Sequence, residues 1–233
     1  MPSSIIYAVG DIHGCASALR RLFDQIQADA RTRGVQRPTV VFLGDYVDRG
    51  LHSKQVLDLL SSRELLQRFD PILLMGNHDQ YMLQACRDRL EGDRLFQWLA
   101  AWGGAETVES YGVETGRRSL PDFVADFRAA VPPEHLRLLE GLELSRRIDG
   151  LFFCHAGVAP GVPLENQNAE TLLYGTRAFL GHEGDFGARI VHGHFAVAAV
   201  EILPNRINVN SSAGYPGGRL SAVVISGEDA EVM

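Results

Sequence analysis

Three times in its first eighty residues the chain repeats one unit: five apolar residues, a glycine-bearing turn rich in acid or histidine, and a helix. IIYAV runs into GDIHG, TVVFL into GDYVDRG, and PILLM into GNHD. Continuous apolar strands alternating with helices belong to a sheet covered on its faces, so the repeat dictates an α/β fold. The helices keep their own period. Leu19, Leu22, Phe23 and Ile26 share one face of ASALRRLFDQIQADA. Ser53 is the expected N-cap of KQVLDLLSS, and YMLQACRDRL continues from GNHD. Ligands of such sheets gather outside the carboxyl ends of the strands, where all three polar turns fall.

From about residue 80 to 140 the pattern is mostly helical, through DRLFQWLAAW, PDFVADFRAAV and PEHLRLLEGL. This stretch carries no acid–histidine constellation and reads as a cap that shapes the site. Trp98 and Trp102, four residues apart on one helix, pack that cap, and Gly103 with Gly104 ends the helix in a left-handed turn. Strands return in GLFFCHAG, RIVHGHF, AVEILP, RINVN and LSAVVISG. No linker or repeat divides the chain, so residues 1–233 are expected to form one domain.

Composition narrows the function. A net charge of −7 argues against nucleic acid and anionic membrane as partners. An anionic substrate then needs a local cluster of arginine or metal. Three scattered cysteines, Cys15, Cys86 and Cys154, suit reduced thiols in the cytosol. MPSSIIYAVG is too short and uncharged at its start for a signal peptide, and no apolar run approaches the ~20 residues of a spanning helix. The expected location is the cytoplasm. A chain of 233 residues buries a core without metal staples, so a metal here would serve function.

Chemistry enters with the turns taken together. GDIHG, GDYVDRG, GNHD, CHAG and HGH each end an apolar strand. They offer Asp11, His13, Asp45, Asn77, His155 and either His192 or His194. Carboxylate, imidazole and amide oxygens without cysteine suit divalent Mn, Fe, Zn or Co. Six donors are too many for one such ion and suit two ions sharing a carboxylate, the arrangement that supports in-line phosphoryl displacement. His52, His135 and His182, outside these turns, are expected at the surface. The thiol of Cys154 should point away from His155, because strand residues alternate faces.

The order GDIHG, GDYVDRG, GNHD, HAG, GH, spanning Gly10 to about Leu220, resembles the calcineurin-like metallophosphoesterases, and among them the phosphoprotein phosphatase type of bacteria and phages. The resemblance implies a central β-sandwich of two mixed sheets flanked by helices. It implies two divalent ions, manganese first, with Asp11 and His13 on one, Asn77, His155 and His194 on the other, and Asp45 on both. His194 is chosen because the family's ligand is the histidine after the glycine, which leaves His192 a neighbour. By the same resemblance His78 is the general acid, Asp48 orients it, and Arg49 grips phosphate. The implied reaction is hydrolysis of phosphoserine or phosphothreonine in proteins by direct attack of a metal-bridging hydroxide. The alternative is a symmetrical dinucleoside tetraphosphatase or another small-molecule phosphoesterase; a non-catalytic binding module with the same fold is a third reading.

Three positions depart from the pattern. A second phosphate-binding arginine is expected in a segment like LLWIRE; here LLYGTRAFL puts Thr176 in its place and Arg177 one position later. Met75 precedes GNHD where several relatives are basic. Asn210 replaces the aspartate of the family's INIDTGA segment. Asp48 favours the protein-phosphatase reading, since tetraphosphatases generally lack it.

Overall fold

A computed structural model describes residues 5–114 and 120–233. Residues 1–4, the head of MPSSIIYAVG, and 115–119, inside the helical cap, lie outside the described residues. The elements are β1 (Ile5–Val9), α1 (Ala16–Thr32), β2 (Thr39–Phe42), α2 (Ser53–Leu60), α3 (Arg63–Arg68), β3 (Asp70–Leu73) and α4 (Asn77–Cys86). The helical segment adds α5 (Gly92–Ala101), α6 (Gly104–Ser110), α7 (Leu120–Ala130) and α8 (Pro133–Glu140). The last third supplies β4 (Ser145–Ile148), β5 (Leu151–Cys154), α9 (Ala169–Tyr174), α10 (Arg177–Leu180), β6 (Arg189–His192), β7 (Glu201–Ile202), β8 (Arg206–Asn208), β9 (Ala222–Ser226) and β10 (Asp229–Val232). No helix among the described residues is long and apolar enough to cross a membrane.

Two five-stranded mixed sheets form a sandwich, in the orders β10-β9-β1-β2-β3 and β4-β5-β6-β8-β7. Alternation along the strands sorts side chains between three apolar layers. Ile6 and Ala8 of β1 face Phe153 and Val191 of β5 and β6 between the sheets. Tyr7 and Val9 point the other way, into a layer shared with α1, α2 and the helical segment through Leu19, Phe23, Trp98 and Phe127. On the outer face of the second sheet Phe152, Cys154 and Ile190 pack against Leu172 and Phe179. The helical cap therefore shares its core with the first sheet.

Register places the site. β1, β2 and β3 run parallel with Val9 opposite Phe42 and Phe42 opposite Leu73, so the turns after them emerge side by side. β5 and β6 are parallel as well, with Phe153 opposite Val191. The two sheets meet at this edge through His155 Nδ1, which donates to Leu43 O across 2.8 Å.

The fold class is as the sequence indicates, with local corrections. Ser53 is the first residue of α2 rather than its N-cap, because its hydroxyl is engaged in accepting from Asp48 N at 3.1 Å. His135 is fully buried, with Nδ1 2.8 Å from the Tyr111 hydroxyl and Nε2 3.1 Å from Asp58 Oδ1. It faces inward on α8, where the Tyr111 hydroxyl takes up Nδ1 and Nε2 lies beside the Asp58 carboxylate without a hydrogen bond. His52 is exposed and His182 half-buried. Gly103 is left-handed, with φ +86°, between α5 and α6.

Candidate metal centre and active site

Each donor is delivered by a strand end and fixed by the main chain. Among the described residues eight non-glycines have positive φ, and five of them are His13, Asp45, Asp48, Arg49 and His194. Such conformations cost roughly 1–3 kcal/mol each and persist only where surrounding structure imposes them. Close approach of the turns also demands glycine. A Cβ on Gly76 would lie 2.1 Å from Asp45 Oδ1, and one on Gly193 would lie 2.1 Å from Asp11 Oδ1.

The donors converge on Asp45 Oδ2. His13 Nε2 is 3.6 Å from it and His155 Nε2 is 3.4 Å from it on another side. His13 Nε2 also lies 3.8 Å from Asp11 Oδ2. Asn77 Oδ1 is 3.0 Å from both His155 Nε2 and His194 Nδ1. Two groups of potential ligands share Asp45: one with His13 and His78, the other with His155 and His194. Asp11, His13, Asp45, Asn77 and His155 are all buried, and His194 is half-buried.

These residues fit a pair of cations. His13 Nδ1 donates to Val47 O at 2.9 Å, and His155 Nδ1 to Leu43 O. A main-chain acceptor at one ring nitrogen fixes the tautomer and turns the other lone pair toward the site, as for metal-binding histidines. In neutral His155 the Nε2 lone pair faces Asn77 Oδ1 at 3.0 Å, a position that suits a shared cation or a proton on Nε2. Asp45 and Asp11 outweigh the burial that disfavours charge on His155 and raise its pKa to about 9. Burial keeps His13 and His194 neutral, with pKa values pushed down to about 3. Burial opposes charge on Asp45 too, but the histidines, His155 foremost, hold its carboxyl well below the usual range. Asp11 goes the other way: burial pushes it up to about 6.

Beside this centre stands a second constellation. His78 Nδ1 donates to Asp48 Oδ2 at 2.6 Å, and both residues are buried. Burial alone would lower the pKa of His78, yet Asp45 and the bonded Asp48 together raise it. Arg49 donates to Nε2 of both His78 and His13 and lies over the Tyr215 ring at 4.4 Å. This joins every expected site residue except Arg177. That side chain is exposed at the start of α10, whose N-cap is Thr176, and no hydrogen bond or ion pair among the described residues ties it to the donors. His192 is buried against the Phe179 ring, 4.9 Å away between centroids, and donates from Nδ1 to Gly193 O.

Four residues of the arrangement were missed by sequence reasoning. Asp79 accepts from Gly76 N, Asp45 N and Tyr46 N at 2.8–2.9 Å, locking two turns together. Trp98 Nε1 donates to Asp48 Oδ2 at 2.8 Å and Thr107 Oγ1 to Asp48 Oδ1 at 2.7 Å. Asn210 Nδ2 donates to Asp11 Oδ2 at 2.7 Å, so the residue that replaces an expected aspartate supports a donor. Asn210 had a signal in the segment like INIDTGA, and Asp79 had one as the fourth residue of GNHD at a helix start, where a carboxylate caps free N–H groups.

Buried imidazole and carboxylate donors paired across one aspartate, with an arginine at their rim, are groups that could hold metal ions beside an anionic substrate. The chain belongs to the calcineurin-like phosphoesterase family, whose model matches residues 5–219. It is accordingly a phosphoric ester hydrolase of a family that depends on two metal ions. The asymmetrical bis(5'-nucleosyl)-tetraphosphatase PrpE of Halalkalibacterium halodurans is 25% identical over 236 residues, covering 92% of this chain and 87% of that one. The serine/threonine-protein phosphatase BSL2 of Arabidopsis thaliana is 34% identical over 107 residues, but these are 39% of this chain and 10% of the plant protein. A solved structure given as a candidate diadenosine tetraphosphatase superposes with a TM-score of 0.67 at 22% identity, covering 100% of this chain and 95% of that one. The last likeness is one of fold.

Proposed function

We propose that the chain hydrolyses dinucleoside polyphosphates, with two divalent ions, manganese first, held by Asp11, His13 and Asp45 and by Asp45, Asn77, His155 and His194. When bound, such ions supply Lewis-acid activation of the phosphoryl group and lower the pKa of water. Arg49 then binds phosphate oxygens through its planar fork. His78 delivers a proton to the departing oxygen, and Asp48 holds Nδ1–H so that Nε2 faces the substrate. Asn210 and Asp79 keep Asp11 and Asp45 in place.

The observation that carries the substrate choice is the near full-length match to a dinucleoside tetraphosphatase. The protein-phosphatase reading rested on Asp48. In the structure that carboxylate bonds His78, Trp98 and Thr107, which supports a role in holding the acid and carries no argument for one substrate over another. Hydrolysis of phosphoserine or phosphothreonine is the second reading, favoured by the short plant match. The test is a panel: the Mn-reconstituted chain with diadenosine tetraphosphate beside phosphoserine, phosphothreonine and phosphotyrosine peptides. The dinucleotide should be preferred at least tenfold in kcat/KM, with Asp45→Asn inactive. Preference for any peptide overturns the choice. Product analysis, ADP alone or ATP with AMP, assigns symmetrical or asymmetrical cleavage.

A further inference from the structure

One cavity, about 780 Å3, opens at the amino ends of the strands, away from the donors. Its arginine, Arg189, already donates to Leu203 O and Glu228 O. A smaller cavity of about 480 Å3 is placed differently: it is lined by Gln80, Tyr81, Arg94, Glu170, Leu173 and Tyr174. That volume falls within the ~300–1,000 Å3 of small-molecule sites.

Its walls are continuous with the metal centre. Gln80 and Tyr81 follow Asn77 by three and four residues on α4, one turn (~5.4 Å) along the same face. Tyr174 ends α9, whose Leu172 O accepts from Ala156 N directly after His155. The next residue, Gly175, is so close to the Phe195 ring, beside His194, that a Cβ there would lie 2.6 Å from it. The cavity thus flanks the donors Asn77, His155 and His194, while Arg49 and Tyr215 stand over His13 and His78.

Its chemistry is that of an aromatic anion. Tyr174 is half-buried: its hydroxyl donates to Gln80 Oε1 at 3.1 Å, and its ring packs against the core of the first sheet while lining the cavity. Tyr81 is backed by Trp102 at 4.6 Å between centroids, and Arg94 lies 5.7 Å over the Tyr81 ring. Two rigid rings, one cation and the polar ends of Gln80 and Glu170 suit a flat heterocycle joined to phosphate. In a chain of net charge −7, Arg94 is the cation that would draw such a ligand to this side.

We infer that the cavity between α4, α5 and α9 binds the nucleoside end of a nucleotide, stacked on Tyr174, with Arg94 countering its phosphate. This rests on the reading of the substrate as a dinucleoside polyphosphate, but its test does not. Hydrolysis of p-nitrophenyl phosphate is followed while adenosine 5'-monophosphate or inorganic phosphate is added as inhibitor. In the wild type the nucleotide should inhibit about tenfold more tightly than phosphate, the order expected of one stacked base. Tyr174→Ala should collapse that ratio to near one. Tyr174→Phe, which keeps the ring, should retain it, and Arg94→Ala should weaken the nucleotide more than phosphate.

Equal inhibition by both anions in the wild type overturns the inference, as does a ratio that survives Tyr174→Ala. If instead the ratio behaves as expected while diadenosine tetraphosphate is not cleaved, the pocket stands and the proposed substrate falls. If Tyr174→Ala does not fold, the Phe and Arg94 variants decide: a ratio left intact by Arg94→Ala, or lost in Tyr174→Phe, counts against stacking with charge.

Discussion

Asp48→Asn isolates what the carboxylate gives to His78. The change is isosteric and opens no cavity in a side chain that is fully buried. Oδ2 accepts from both His78 Nδ1 and Trp98 Nε1, so an amide NH2 there would oppose two donors. At Oδ1 its neighbour is the Thr107 hydroxyl, which can turn and accept. The amide nitrogen therefore takes the Oδ1 side, and the tautomer of His78 is preserved. What is lost is one negative charge against the imidazolium. A hydrogen bond to a charged partner is worth ~1.5–3 kcal/mol and a neutral one ~0.5–1.5 kcal/mol. The difference, about 1–2 kcal/mol, lowers kcat roughly five- to thirtyfold. The assay is steady-state hydrolysis of p-nitrophenyl phosphate by the metal-reconstituted variant, with metal content and Tm measured alongside. A loss under twofold with metal retained would refute the pairing. Loss of metal would show instead that Asp48 supports the donor cluster.

His78→Asn should lower kcat further, by roughly 10²–10⁴, the usual contribution of general acid catalysis, with metal content unchanged; metal loss would reassign His78 as a ligand. Burial lowers the pKa of His135 below its ordinary 6.5, against the opposing pull of Asp58. The unfolded chain then takes up the proton first, so stability is full above about pH 6.5 and falls as pH drops below it. Denaturant titrations at pH 7.5 and 5.5 should show a smaller decrease for His135→Gln than for the wild type; equal decreases would count against it. Burial pushes the thiol of Cys154 up to about 12, so it should react with a thiol reagent only on unfolding. Rapid labelling of Cys154 in the native protein would contradict its place in the outer layer.

The strand ends, and with them the donors, were legible because five short turns each close an apolar run, and parallel strands must bring such turns to one edge. The clamp on Asp48 was not. Trp98 lies on an ordinary amphipathic helix, and periodicity tells which face is buried, never which indole N–H finds a carboxylate fifty residues away. The hydroxyls of Ser53 and Thr107 were hidden for the same reason. β4, with Arg146 and Arg147 exposed at its centre, and β10, with its acidic residues, lack apolar alternation and exist through pairing with β5 and β9. His135 looked like a surface residue because its partners, Tyr111 and Asp58, come from other helices. Substrate choice was the least legible: Asp48 holds His78 as expected, and that contact does not by itself distinguish one phosphoester from another.

The most direct test of the two-cation reading is the number of ions each chain holds. Wild type and Asp45→Asn are loaded with Mn2+, freed of loose metal, and analysed by elemental mass spectrometry and anomalous scattering. Two ions per chain, flanking Asp45, with the variant losing at least one, is the predicted result. One ion or none in the wild type, or two ions held undiminished by Asp45→Asn, would contradict the account.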